Sequence, residues 1–418
     1  MLRYLWLLVL CCMGGQPVLA LTDTSSIYEE VESSVYQIRV INKQTGKKVA
    51  IGSGFVVWQN NILATNYHVV SEYVNGPDTF RLEYLSTDGQ VGSLELLDLD
   101  VIHDLAVVKG DKPMGKPLVT ADLPEKGARL YSLGNPLDLG FSIITGTNNG
   151  VMKQDQDGNI LFSGSLNGGM SGGPAVDEFG NVVGINVATQ GDALGILVPV
   201  KYLSAILEGL AKTDFEPVPD HFSRISEQLI ANSKRMIDRL VENDWGLMQI
   251  GSLRVPAELD KSMRCWDASR IPEKNDLFRL FLTRCSNENN TYLASNLSLG
   301  LISYEYIWTD TQKLIPARFY TQYEKMNNTV IASEADGSDV TNFACHTGFM
   351  RLAGQEFKTT ICRRDYLKYK GLSDMLFSMV MVGQPTEGGV FNLDIVGTDP
   401  GAGFRLFKQM LESFQWKS

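Results

Sequence analysis

From residue 27 to 200 the chain is a succession of short β-prone runs broken at turn dipeptides, and this pattern restricts its fold more than any other feature. "SVYQIRV", "GSGFVVW", "NILATNYHVV", "TFRLEYL", "LAVVKG", "NILFSGSL", "NVVGINVAT" and "LGILVPV" are rich in β-branched or aromatic residues. "DG" at 88–89 and 157–158 and "FGN" at 179–181 are hairpin signals. Many short strands over such a length predict an all-β sandwich or a pair of barrels. "KYLSAILEGLAK" follows with apolar residues at helical spacing, and "TDFEPVPD", with two prolines, reads as a linker. "HFSRISEQLIANSKRMIDRLV" then places Phe222, Ile225, Leu229, Met236 and Leu240 on one face of an amphipathic helix that packs on a neighbour. Residues 250–418 mix strand-like runs with a closing helix, "GFRLFKQMLESF", and are expected to be α+β.

The first twenty residues, "MLRYLWLLVLCCMGGQPVLA", have one basic residue, a short apolar run and a small residue at Ala20. That is the layout of a secretory signal cleaved near Ala20, so a periplasmic or secreted protein is expected. The run is too short for a spanning anchor, and Leu10 is too large for lipoprotein processing at Cys11. The expected division is a signal at 1–20, a β-rich region at 21–212, linker and helix at 213–249, and an α+β domain at 250–418. On that division the β-rich region stands alone, and a chain ending near Lys212 keeps its activity. Cys265, Cys285, Cys345 and Cys362 all lie in the last region, where an even number in an exported chain reads as disulfides. Pairing of sequence neighbours closes the shortest loops among three possible connectivities. Zinc, suggested by His346 beside Cys345, lacks the C-x-x-C spacing. A net charge of −11 argues against nucleic acid as a partner. No metal or cofactor is expected. Sequons at Asn289, Asn296 and Asn327 matter only in a eukaryotic secretory pathway.

"NGGMSGGPAVD", residues 167–177, surrounds Ser171 with four glycines. A serine hydroxyl attacks only when a base takes its proton, and the attacked carbonyl then needs hydrogen-bond donors for its negative charge. Glycines let backbone amides turn inward as those donors, here Gly169 and Ser171, and leave room for a peptide chain. The base is expected at His68, in "LATNYHVV", where a strand ends and a tight helical turn can begin, and the carboxylate that orients it at Asp104, in "IHDLAVVKG". Each alone has a structural explanation: a turn, a strand-end histidine, a capping aspartate. The order His…Asp…Ser is what gives them a joint meaning, since it is one of the known orders of a catalytic triad. His103 adjoins Asp104 and cannot bridge to Ser171 while its neighbour orients another ring. His221 and His346 fall outside the β-region.

The segments "GSGFVV", "ATNYHVV", "HDLAVV", "LGNPLDLGFSIITG", "GGMSGGPAVD" and "VVGINVA" resemble, in order, those of trypsin-like serine proteases, above all the HtrA/DegP group. The resemblance covers roughly residues 27 to 205. It implies a mainly β chymotrypsin-like fold, with two six-stranded barrels and a His68–Asp104–Ser171 triad in the cleft between them. It also implies a serine endopeptidase acting through an acyl-enzyme on protein or peptide substrates. By the same resemblance the first specificity pocket has Ser165 at its base and Ile185, Asn186, Val187 and Ala188 along its wall. Val69 stands where digestive trypsins carry a cysteine, and Met170 where they carry the aspartate used in zymogen activation. Met170 also replaces the group's asparagine, which puts a different side chain at the pocket's edge. No glycine-rich carboxylate-binding loop of a PDZ domain follows residue 212, so chaperone and cage properties do not carry over. Two other functions compete: a binding or adhesion protein with the protease fold as scaffold, and an esterase. The second lacks the G-x-S-x-G elbow around Ser171.

Overall fold

The computed structural model describes residues 24–416 apart from 154, 190–192, 272, 288–289, 328–330 and 332; the signal sequence lies outside the described residues. Helix α1 (Thr24–Val31) leads into six antiparallel strands: β1 (Val35–Asn42), β2 (Lys48–Val56), β3 (Ile62–Thr65), β4 (Phe80–Leu85), β5 (Val91–Asp100) and β6 (Leu105–Gly110). They close as a barrel in the order β1-β2-β3-β6-β5-β4. Six more form a second closed barrel: β7 (Arg129–Gly134), β8 (Ser142–Val151), β9 (Ile160–Ser163), β10 (Pro174–Val176), β11 (Val182–Thr189) and β12 (Gly195–Pro199). The mainly β, two-barrel fold expected of the chain is therefore present.

Within "NILATNYHVV" the strand ends and a helical turn begins at the segment of His68, as expected: the chain turns at Asn66 from β3 into helix α2 (Tyr67–Asn75). Other elements differ from the residue-level reading. Strands β5, β7, β8 and β10 were not distinguishable in the sequence. Strand β8, "SIITGTNNGV", is glycine- and asparagine-rich, and β10 has only three residues. Local propensity is weak in both, and pairing with barrel neighbours decides their state.

Helices α3 (Val200–Ala211) and α4 (His221–Glu242) follow. Helix α4 buries Ile225, Leu229, Met236 and Leu240, its expected apolar face, while Phe222 is only partly covered. Beyond it come β13 (Leu247–Ile250), β14 (Leu253–Pro256), β15 (Met263–Asp267), β16 (Arg279–Asn287), β17 (Thr291–Ala294), β18 (Leu297–Leu299) and β19 (Ile302–Asp310). Helix α5 (Pro316–Glu324) precedes β20 (Ala344–Leu352), β21 (Gln355–Asp365), β22 (Ser373–Val382) and β23 (Glu387–Thr398). Helix α6 (Pro400–Glu412) and the short β24 (Gln415–Trp416) close the chain. Seven of these strands make one sheet, ordered β15-β16-β19-β23-β22-β21-β20. Its two edge strands are each tied to their single neighbour by a disulfide, Cys265–Cys285 and Cys345–Cys362, between directly opposed residues. Among the described residues no helix is long and apolar enough to cross a membrane.

The packing between the halves does not agree with a self-sufficient region ending near Lys212. Ile225 and Leu229 of α4, and Leu293 and Leu297 of the β17–β18 hairpin, share one buried cluster with Tyr67, Val69, Val70 and Val74 of α2. Arg224 of α4 makes a two-pronged ion pair with the buried Asp98 of β5. Fully burying an aliphatic side chain is worth about 1.5–3 kcal/mol, so losing these four exceeds the margin of many small domains. A chain ending at Lys212 is expected to be destabilised by several kcal/mol and to bind a hydrophobic dye. A truncated chain that melts cooperatively near the temperature of the full protein would contradict this.

Candidate active site

His68 is the second residue of α2, and Asp104 is the last residue before β6. Asp104 has φ +54, a left-handed conformation uncommon for a non-glycine residue. In that conformation its carboxylate faces the start of α2. One carboxylate oxygen accepts the His68 backbone N–H at 2.8 Å, and the other lies 2.6 Å from His68 Nδ1. The Asp104 carbonyl accepts from Asn66 Nδ2 at 2.7 Å and from the Tyr67 N–H at 3.2 Å. Asn66, at the cap position, makes no side-chain cap bond, so Asp104 supplies an acceptor to the helix end and orients the imidazole with the same group. An ionised carboxylate beside Nδ1 selects the Nδ1–H form, which leaves Nε2 with a free lone pair. Burial pushes the His68 pKa down, but the charge and hydrogen bond of Asp104 outweigh it and hold the value above that of an ordinary histidine.

The glycine loop meets this pair from the second barrel. Its glycines also meet a demand that the local sequence does not announce. A Cβ on Gly169 would lie 2.3 Å from the Asn135 carbonyl, and one on Gly172 would lie 2.2 Å from the Ser53 carbonyl. One on Gly173 would lie 2.1 Å from the Leu133 carbonyl, whereas one on Gly168 meets nothing within 4 Å. Three of the four are therefore demanded by the protein's own backbone, and only Gly168 faces open space. Gly169 and Gly172 also have φ of +95° and +84°.

Ser53 of β2 is the residue that joins loop and barrel. Its hydroxyl donates to the Gly169 carbonyl at 2.7 Å and accepts from the Asn135 N–H at 2.9 Å. Its N–H donates to the Ser171 carbonyl at 2.7 Å, and its carbonyl accepts from Thr65 Oγ1 at 2.7 Å. A Cβ on Gly52 would touch both Val69 and the Ser171 carbonyl, and one on Gly172 would touch Thr65 and the Asn66 amide. The serine loop thus rests on the β3–α2 turn that carries His68. Ser171 Oγ itself donates to the Val187 carbonyl at 3.1 Å. Among the described residues no hydrogen bond joins it to His68.

Among the described residues, neither the Gly169 nor the Ser171 N–H has a backbone acceptor. The Leu137 N–H donates to the Gly168 carbonyl at 2.7 Å, which fixes the peptide that bears the Gly169 amide. Leu137 and Asp138 both have positive φ, and Asp138 is held by Gln37 Nε2 at 2.8 Å and by Lys48 of the first barrel.

The expected pocket residues have separate fates. Ser165 is exposed in the loop before the nucleophile, and Val187 is half-buried beside Ser171. Ile185 lies in the hydrophobic core, so its side chain is not a free wall. Asn186 is also fully buried: its amide accepts from Ser132 Oγ and donates to the Leu133 and Met170 carbonyls. Ala188 continues β11 opposite Ile196. Met170 is fully buried among Leu130, Ile160, Phe162 and Leu166, and so is not at a pocket's edge. Asp192, the acidic residue nearest this segment in sequence, lies outside the described residues. His103 stacks on Tyr202 at 3.5 Å and pairs with Asp100, away from the serine loop. His221 opens α4, and His346 sits on the exposed edge strand β20.

Sequence reasoning passed over Ser53, Thr65 and Asn135 and read Asn186 as pocket wall, whereas all four make hydrogen bonds that hold the loop and the strands beneath it. Glycines on both sides of Ser53, in "GSG", were the available signal.

Comparison with known proteins agrees with the geometry. Residues 52–185 match the model of the trypsin-like peptidase domain. The chain is 28% identical over 191 residues to the serine protease HTRA1B of Danio rerio, covering 42% of this chain and 38% of that protein. It is 31% identical over 183 residues to the putative serine protease HhoA of Synechocystis, covering 40% and 45%. It is 31% identical over 179 residues to a probable periplasmic serine endoprotease, DegP-like, of Brucella suis, covering 40% and 34%. The chain therefore spans less than half the length of each of these relatives.

Proposed function

We propose, from the trypsin-like peptidase domain carried by residues 52–185, that this chain is an exported serine endopeptidase with His68, Asp104 and Ser171 as its triad. The observation that supports it best is the His68–Asp104 pair set against the loop of Ser171. In this reading Ser171 Oγ attacks the peptide carbonyl while His68 Nε2 takes its proton, and Asp104 stabilises the imidazolium. The Gly169 and Ser171 amides receive the oxyanion. His68 then gives the proton to the leaving amine, and water repeats the sequence on the acyl-enzyme. The proposed division of labour assigns the triad to the two barrels and leaves residues 250–418 as an α+β body that shares a buried cluster with them through the β17–β18 hairpin.

Specificity follows from the residues near the nucleophile. Neither Ser165 nor the strand from Ile185 to Ala188 offers an aspartate to a lysine or arginine side chain. A buried cation without a partner costs several kcal/mol, so small or medium aliphatic residues are expected at the cleaved position, with loose selection among them. Cleavage of a peptide library tests this. Strong cleavage after arginine or lysine would overturn the pocket assignment.

A further inference from the structure

The β17–β18 hairpin connects two strands of the C-terminal sheet, yet its far side is packed against the helix that carries His68. Its base is anchored in the sheet: Asn287 Oδ1 accepts the Ile302 N–H at 2.7 Å, and Asn287 Nδ2 donates to the Gly300 carbonyl at 2.8 Å. The Gly300 N–H donates to the Val396 carbonyl, and the Val396 N–H to the Leu301 carbonyl. On the other side, the fully buried Tyr67 hydroxyl donates to the Leu293 carbonyl at 2.9 Å, and Asn75 Nδ2 donates to the same oxygen at 3.2 Å. Leu293 and Leu297 are inserted in the cluster formed by Val69, Val70 and Val74. Between these fixed points stands Tyr292. Its ring meets the His68 ring at 89°, centroid to centroid 6.4 Å. That is an edge-to-face pair, an arrangement that restricts the tilt of the imidazole as Asp104 restricts its rotation.

We propose that Tyr292 is a positioning residue for His68, and that through it the C-terminal half is an integral part of the active site. The inference rests on the triad reading for its catalytic consequence, but not for its geometry. His68 is faced by the Asp104 carboxylate from the segment before β6 and by the Tyr292 ring from β17. Asp104 is the charged group in contact with it. Tyr67, its neighbour in α2, is turned to Leu293. Removing the Tyr292 ring admits water to one face of the imidazole. Hydration favours the charged form, so the His68 pKa should rise further, and the base form should appear only at higher pH.

The test uses the full chain, with the wild type beside Tyr292→Ala and Tyr292→Phe. The His68 pKa is followed by NMR of the histidine ring, and kcat/KM on a peptide substrate is followed against pH. The alanine variant is expected to show a raised His68 pKa, an acid limb of kcat/KM moved to higher pH, and about a tenfold lower plateau from the loosened ring. Phenylalanine keeps the ring edge and should match the wild type in both. A purely structural Tyr292 would lower the melting temperature of the alanine variant while leaving the His68 pKa and the acid limb in place, and that result overturns the proposal. Failure of the variant to fold does not shield the proposal, because a raised His68 pKa in the folded Tyr292→Phe protein also contradicts it. Should the wild type cleave nothing while its His68 pKa still responds to Tyr292→Ala, the endopeptidase reading fails and the positioning role stands.

Discussion

Replacing Ser171 by alanine is expected to lower peptide turnover on the order of 10⁴-fold or more while leaving the fold in place. The size follows from the role: without Oγ there is no nucleophile for His68 to activate, and only binding and the amides of the loop remain. The fold is spared because Ser171 is held through its backbone. Its carbonyl accepts from Ser53, and its hydroxyl donates to the Val187 carbonyl, a bond worth about 1 kcal/mol. The positive φ of Gly169 and Gly172 goes with their close approach to the Asn135 and Ser53 carbonyls, contacts in which the Ser171 side chain takes no part. Steady-state hydrolysis together with a thermal melt separates the two effects. Wild-type-like cleavage by the alanine protein would end the serine-protease reading.

Asp104→Asn should cost a comparable factor, on the order of 10⁴ in kcat, by a different route. The asparagine carbonyl can still accept the His68 N–H, but its NH₂ then faces Nδ1 and donates to it. That selects the tautomer with the proton on Nε2, which cannot take one from Ser171. The pH dependence gives an independent mark. In the wild type the His68 pKa is held above its ordinary value because Asp104 outweighs burial. The neutral base accumulates only above that raised pKa, so activity rises with pH across it. With Asp104 neutralised, burial alone remains and pushes the pKa down, so the residual activity should have its acid limb at lower pH than the wild type. An acid limb that stays in place would mean that Asp104 is not the group acting on His68.

How much of this was readable in the residues follows from what each residue does. His68, Asp104 and Ser171 stood out because a histidine, an aspartate before an apolar run and a serine among glycines occur in a meaningful order. The β3–α2 corner at Asn66 was readable only as a possibility, because "NYHVV" has as much strand as helix propensity, and Asp104 across the barrel supplies the acceptors that turn it into a helix. The glycines drew attention to the right loop for only part of the reason. A Cβ on three of them would strike carbonyls of Asn135, Ser53 and Leu133, residues tens of positions away in sequence, and no local pattern announces such an approach. The assignment of Ile185 and Asn186 to a pocket wall carried over a position without its side-chain direction; both point into protein. The hairpin at Tyr292 was beyond reach for the same reason as the glycine contacts. Its partner α2 lies more than two hundred residues earlier, so the expected boundary at 212 cut through a joint that only the packing reveals.

Labelling of the full chain with a fluorophosphonate, followed by mass spectrometric mapping of the adduct, tests the central claim most directly. The probe reacts with a serine only where a base and an oxyanion site activate it, whatever the natural substrate. A single adduct on Ser171 is expected, absent from Ser171→Ala and strongly reduced in His68→Ala. A folded wild-type protein that takes up no probe, or takes it up at another serine, would contradict an active His68–Asp104–Ser171 centre and leave the two barrels as a scaffold.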